Sequence, residues 1–215
     1  MPQNRSIAFF TIILFNLVPV AGVAFYNWLP FEMFWLFWME TLVLSFFTSV
    51  RILFSQGHTA GLNNENLVLR FNTGPALKYL LTRIGIFIFY SIFIITFIGF
   101  AAPKTDPVQV VRTLAFQNLL FNLALLLIIC SNLFYLLRHF FMNGAYLFAS
   151  RKDYAALFDG RQIVIHVAVV LGAVGATFLF KNDPQGYGAV WIISILCLAK
   201  CILELYLLKR SGEYR

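Results

Sequence analysis

The chain has 215 residues, of which 60% are apolar and 12% charged, whereas ordinary soluble domains run near 45–50% apolar and about 25% charged. So little polar surface cannot coat a water-soluble globule; the fitting solvent is a bilayer, whose hydrocarbon core of roughly 30 Å takes about 20 consecutive apolar residues per helix. The net charge of +7 does not point to nucleic acid, because the basic residues are dispersed at the ends of apolar runs rather than gathered into a stripe with stacking aromatics.

The expected fold class is all-α: a polytopic membrane helical bundle in a single domain over 1–215. Helices are expected near 6–27, 30–54, 77–102, 113–137, 162–180 and 187–208. A membrane barrel would alternate inward and outward residues over about 10 positions, and these runs are apolar on every side. The first run follows Arg5 as a secretory signal would, but "VPVAGVAFY" offers only Val20-Ala21-Gly22 for cleavage and the apolar character continues to Tyr26. A retained helix is expected.

Polar residues inside these runs are costly in a bilayer and normally face a protein interior or water, with a partner. In the first helix Asn16 is central and precedes Pro19, which leaves a carbonyl without its helical donor. In the second, Glu40 lies roughly 15 Å deep, with Thr41, Ser45 and Thr48 continuing a polar stripe. Arg83 in the third helix is long enough to reach the head groups by snorkelling. The fourth helix is expected to carry Gln117, Asn118 and Asn122, the two asparagines sharing a face. His166 in the fifth reads as satisfied by a neighbouring carbonyl, and Ala168, Gly172 and Ala176 form a close-packing stripe. In the sixth, Lys200 is near the middle, with Glu204 one turn later on the same face. The central expectation is a buried polar cluster of Asn16, Glu40, Asn122, Lys200 and Glu204, in which Glu40 or Glu204 neutralises Lys200. It serves either a proton, ion or small polar ligand, or the register of the helices.

Two longer connections, about 55–76 and 138–161, carry basic residues, and with the other Lys and Arg positions they place both termini in the cytoplasm of a bacterial-type inner membrane. Asn63-Asn64-Glu65 ahead of Leu67, Val68, Leu69 and Phe71 suggests a short interfacial helix ended by Gly74-Pro75. Aromatic and charged clusters alternate in the second connection, as in a segment lying on a membrane surface. Cys130, Cys197 and Cys201 read as packing residues, and no metal-ligand set is visible.

"NLVPVAGV" in the first run, "WLPFEMFWLFWMETLVLSFF" in the second and "AKCILEL" in the last resemble a bacterial multi-pass membrane family known only as a domain of unknown function. The resemblance implies an integral membrane protein and brings no activity with it. A lysine in the last helix is also similar to that of microbial rhodopsins, but there are six runs rather than seven, and Leu196 stands where an acid one turn before Lys200 would be.

The expected function is a small carrier or channel-like protein for a proton, ion or small polar solute. The alternative is an accessory subunit that docks other membrane proteins or its own copies. A membrane-embedded enzyme comes third, since no hydrolase, metalloprotease, P-loop or dinucleotide motif occurs and His58, His139 and His166 are scattered. No cofactor is indicated. The lipid bilayer is the expected partner.

Overall fold

The computed structural model describes residues 3–26, 28, 30–57, 71–100, 106–154, 163, 166–167, 170, 194–203 and 205–206. Among these the chain is helical with short connections and has no strand. Helix α1 runs Gln3–Phe25, α2 Pro30–Phe54 and α3 Thr73–Phe93, the last continued by a π-helical turn, Ile94–Phe100. There follow α4 Pro107–Leu114, α5 Leu119–Tyr135 with its π-helical extension Leu136–Met142, and the short α6 Ala145–Phe148 and α7 Arg151–Tyr154. Near the C-terminus, Ser194–Leu203 forms α8.

Among the described residues, three helical stretches are long and apolar enough to cross a membrane: Phe31–Phe54, Thr73–Phe100 and Pro107–Met142. Helix α2 has Pro30 at its first position, where the missing N–H costs nothing, Glu32 in the first turn and Arg51 in the last, each complementing the helix dipole. Every residue from Phe31 to Trp38 is buried, so α2 is enclosed on all sides at this level, as a helix apolar all round must be. By contrast α3 exposes Ile88, Phe89 and Ile92 by more than half.

The chain divides into two compact units. One comprises residues 1–38, 91–124 and 158–215, the other 39–90 and 125–157. In the first, Trp28 folds back on the end of α1, its amide donating to the Gly22 carbonyl at 3.0 Å. A Cβ on Gly22 would come within 2.5 Å of the Trp28 ring, so only glycine permits this approach. In the second unit Phe47, Leu136 and Phe140 form one core cluster, and Ile52, Ala76 and Tyr79 another.

Two expectations need correction. Gly74 and Pro75 do not end an interfacial helix; they stand in the first turn of α3, where proline is tolerated because no helical acceptor exists for its N–H. The rest of the suggested interfacial helix, residues 63–70, lies outside the described residues. Nor is 113–137 one helix. It breaks at Phe116, whose φ of 56° is left-handed. The Gln117 amide donates to the Arg112 carbonyl at 2.8 Å and that of Phe116 to Thr113 at 3.1 Å. This paired closure of the last carbonyls is the Schellman arrangement. Gln117 and Asn118 follow the break directly, but two polar residues between long apolar stretches read equally well as part of one buried helix.

Candidate functional site

Lys200, on α8, is 1% exposed. Its Nζ lies 3.5 Å from Asn16 Oδ1 on α1 and 5.0 Å from the centre of the Phe37 ring on α2, a cation–π distance. Asn16 is oriented for this task. Its Nδ2 donates to the Ile12 carbonyl at 2.9 Å, one turn back on the same helix, which turns the amide oxygen toward the ammonium. Asn16 and Lys200, two of the five residues expected to cluster, thus meet in the fold, with an aromatic face beside the cation. The next α2 residue, Trp38, donates from Nε1 to Ser91 Oγ at 3.1 Å and meets the buried His166 ring edge-on at 5.2 Å. Sequence reasoning left His166 to a carbonyl and did not foresee this ring contact.

A second ionisable group in the same unit is held by directional bonds. Glu32, fully buried, accepts hydrogen bonds from Gln109 Nε2 at 3.0 and 3.1 Å, Thr113 Oγ1 at 3.1 Å and Asn118 Nδ2 at 2.7 Å. Gln109 and Thr113 are one turn apart on α4, whose start is capped by Asp106 accepting the Val108 amide. Asn118 reaches the carboxylate because of the break at Phe116. It then caps α5 with its other end, Oδ1 accepting the Phe121 amide at 3.1 Å. Glu32 went unnoticed in the sequence because an acid just after a helix-starting proline already has an ordinary explanation in the dipole.

In the other unit Arg83 is 3% exposed and does not snorkel. Its Nε donates to Ser45 Oγ at 2.8 Å, and that hydroxyl donates to the Thr41 carbonyl at 2.6 Å. The stripe expected on α2 is therefore used: Thr41 and Ser45 are buried, Thr48 is half-buried, and Glu40 beside them is 2% exposed.

A single family model covers residues 2–214. The chain belongs to DUF6498, a family of unknown function. Among curated proteins and solved structures, none matches it. The remaining expected site residues of this DUF6498 chain are placed as follows. Asn122 is engaged locally, donating to the Phe116 carbonyl at 2.5 Å across the helix break. Glu40 belongs to the other unit from Lys200 and Asn16, and Glu204 lies outside the described residues. Cys197 is buried and Cys201 half-buried. Among the described residues no group of three or more His, Cys, Asp or Glu side chains could hold a metal ion.

Proposed function

We propose that this DUF6498 protein is a six-span integral membrane protein of a bacterial-type inner membrane, with both termini in the cytoplasm, that carries or conducts a proton, an ion or a small polar solute. The spans and orientation are supported by the apolar runs and by the excess of Lys and Arg at the span ends and connections assigned to one side over Lys104, Arg112 and Lys181 on the other. The observation that carries the functional reading is the burial of the Lys200 ammonium against Asn16 Oδ1 and the Phe37 ring.

Ionisable groups deep in membrane helices mark pathways and proton relays. An ammonium, unlike a guanidinium, can release and retake a proton, and it binds anionic or carbonyl-bearing solutes as a compact charge. Pro19 lies inside α1, three residues from Asn16, and takes one donor out of the helix there; helices weakened in this way accompany midplane sites in transporters. Glu204, one turn beyond Lys200 in the sequence, supplies a counter-charge by its spacing.

The test uses the purified full chain in liposomes. K200M is expected to lower proton or solute flux by about tenfold or more, equivalent to roughly 1.4 kcal/mol, and N16L to lower it less. Undiminished flux in both K200M and E40Q would sink the carrier reading. A stoichiometric membrane partner on co-purification in mild detergent would instead support the accessory-subunit reading, with the exposed Ile88, Phe89 and Ile92 of α3 as part of its surface.

A further inference from the structure

In the second unit, where α2 ends and α3 begins, the chain builds a cavity of about 270 Å³ lined by Ser55, Gln56, Gly57, Asn72, Ser150 and Arg151. Its walls are pinned by backbone bonds. Asn72 closes the end of α2: its Nδ2 donates to the Ser55 carbonyl at 2.6 Å and the Ile52 carbonyl at 3.3 Å, and its amide to Leu53 at 2.9 Å. These are carbonyls that a helix terminus leaves without donors. On the other side the Gln56 amide donates to the Tyr146 carbonyl at 2.9 Å, and that of Gly57, at φ 66°, to Ala149 at 3.0 Å. The cavity is therefore preformed.

The polar atoms left over define what fits. Arg151 brings an exposed guanidinium. Ser150 Oγ accepts the Lys152 amide at 3.3 Å, which leaves its O–H to donate. Asp153, the nearest acid in the sequence, is engaged with the Ser150 amide at 2.8 Å. Opposite in character are two acceptors: Ser55 Oγ, whose own proton goes to the Arg51 carbonyl at 2.6 Å, and Asn72 Oδ1, fixed as the oxygen because Nδ2 faces two carbonyls. A cationic fork with a hydroxyl donor suits an anionic phosphate, and the two acceptors suit hydroxyl groups. The volume lies below the roughly 300–1,000 Å³ of sites for drug-sized molecules.

Location narrows the ligand further. The candidate spans Phe31–Phe54 and Thr73–Phe100 stop and start within one residue of Ser55 and Asn72, which sets the cavity at the border of the apolar zone. Tyr146 and Tyr154 pack against Phe140 at this end, and tyrosine is one of the two residue types of the aromatic belt at a membrane surface. In the orientation proposed above this end meets the cytoplasmic leaflet, where anionic lipids attract basic groups. We infer that this cavity binds a phosphate ester bearing free hydroxyls, a glycerol-phosphate headgroup or its free counterpart, with Arg151 and Ser150 on the phosphate and Ser55 and Asn72 on the hydroxyls. The inference does not depend on transport.

Native mass spectrometry of the full chain in detergent tests this, with phosphatidylglycerol, phosphatidylcholine and soluble glycerol 3-phosphate as separate probes. Phosphatidylglycerol is expected to be retained about fivefold or more over phosphatidylcholine, the ratio expected for one arginine at a membrane surface. R151A and S150A should each remove most of that preference, R151K should restore part of it, and K152A should leave it intact. Binding of glycerol 3-phosphate that R151A abolishes, without a lipid preference, assigns the site to the free ester. Equal retention of the two lipids with no glycerol 3-phosphate bound overturns the inference. So does a preference that survives R151A, or one that K152A removes as completely.

Discussion

Two buried ions in one unit, Glu32 and Lys200, are held in different ways. Glu32 takes four hydrogen bonds of 2.7–3.1 Å from three side chains, two on α4 and one in the connection to α5. Lys200 ties α8 to α1 through a contact of 3.5 Å and lies over an aromatic ring of α2. The carboxylate is a clasp: it satisfies donors of a connection and sets where that connection lies. The ammonium joins segments 184 residues apart through a longer contact and the face of an aromatic ring. Burial alone therefore does not tell the two groups apart; the contacts of each differ in kind, and substitution tests whether their roles do.

That contrast predicts a division between stability and flux. The largest expected effect is on folding. E32A removes the carboxylate that accepts from Gln109, Thr113 and Asn118, Thr113 Oγ1 keeping only the Gln109 carbonyl at 3.0 Å, and should destabilise the protein by about 3 kcal/mol, with E32Q costing less. Chemical unfolding in detergent reads this, and flux per folded molecule should be unchanged; a stable E32A protein would break the contrast. K200M should divide the other way, with its larger effect on flux. It removes the contact with Asn16 Oδ1 and should cost about 1–2 kcal/mol of unfolding free energy, less than E32A, while flux per folded molecule falls. A K200M protein that unfolds readily would make Lys200 a clasp like Glu32.

The smallest expected effect probes the hinge that serves the clasp. Phe116 holds a left-handed φ of 56°, which costs a residue with a Cβ roughly 1–2 kcal/mol. F116G should therefore raise stability by up to about 1 kcal/mol, less what is lost from the Phe116–Phe121 ring contact at 6.3 Å. A thermal shift of opposite sign would show that the ring, not the backbone, holds the turn.

Depth-counting along the apolar runs was enough to single out Asn16 and Lys200, because a polar group far from either end of a helix needs a partner at the same depth. It passed over Glu32, which is near a helix start where an acid is ordinary, and it sent Arg83 to the surface because the length of an arginine permits that. Helix α2, Pro30–Phe54, was legible to the residue: proline opens it and no breaker interrupts it. The break at Phe116 was not, since a phenylalanine in a left-handed turn carries no signal in composition.

What the sequence determined by itself is therefore the solvent-facing character of the chain: its helical class, its apolar lengths and the few polar groups misplaced within them. These follow from transfer energies summed over single residues. Which polar groups meet, that Arg83 turns inward to Ser45, that Asn118 serves a carboxylate and a helix end at once, and that Asn72 shuts α2 beside a cavity, was decided only in the tertiary structure. Such choices depend on pairs of residues distant in the chain, and a hydrogen bond is directional where hydropathy is not.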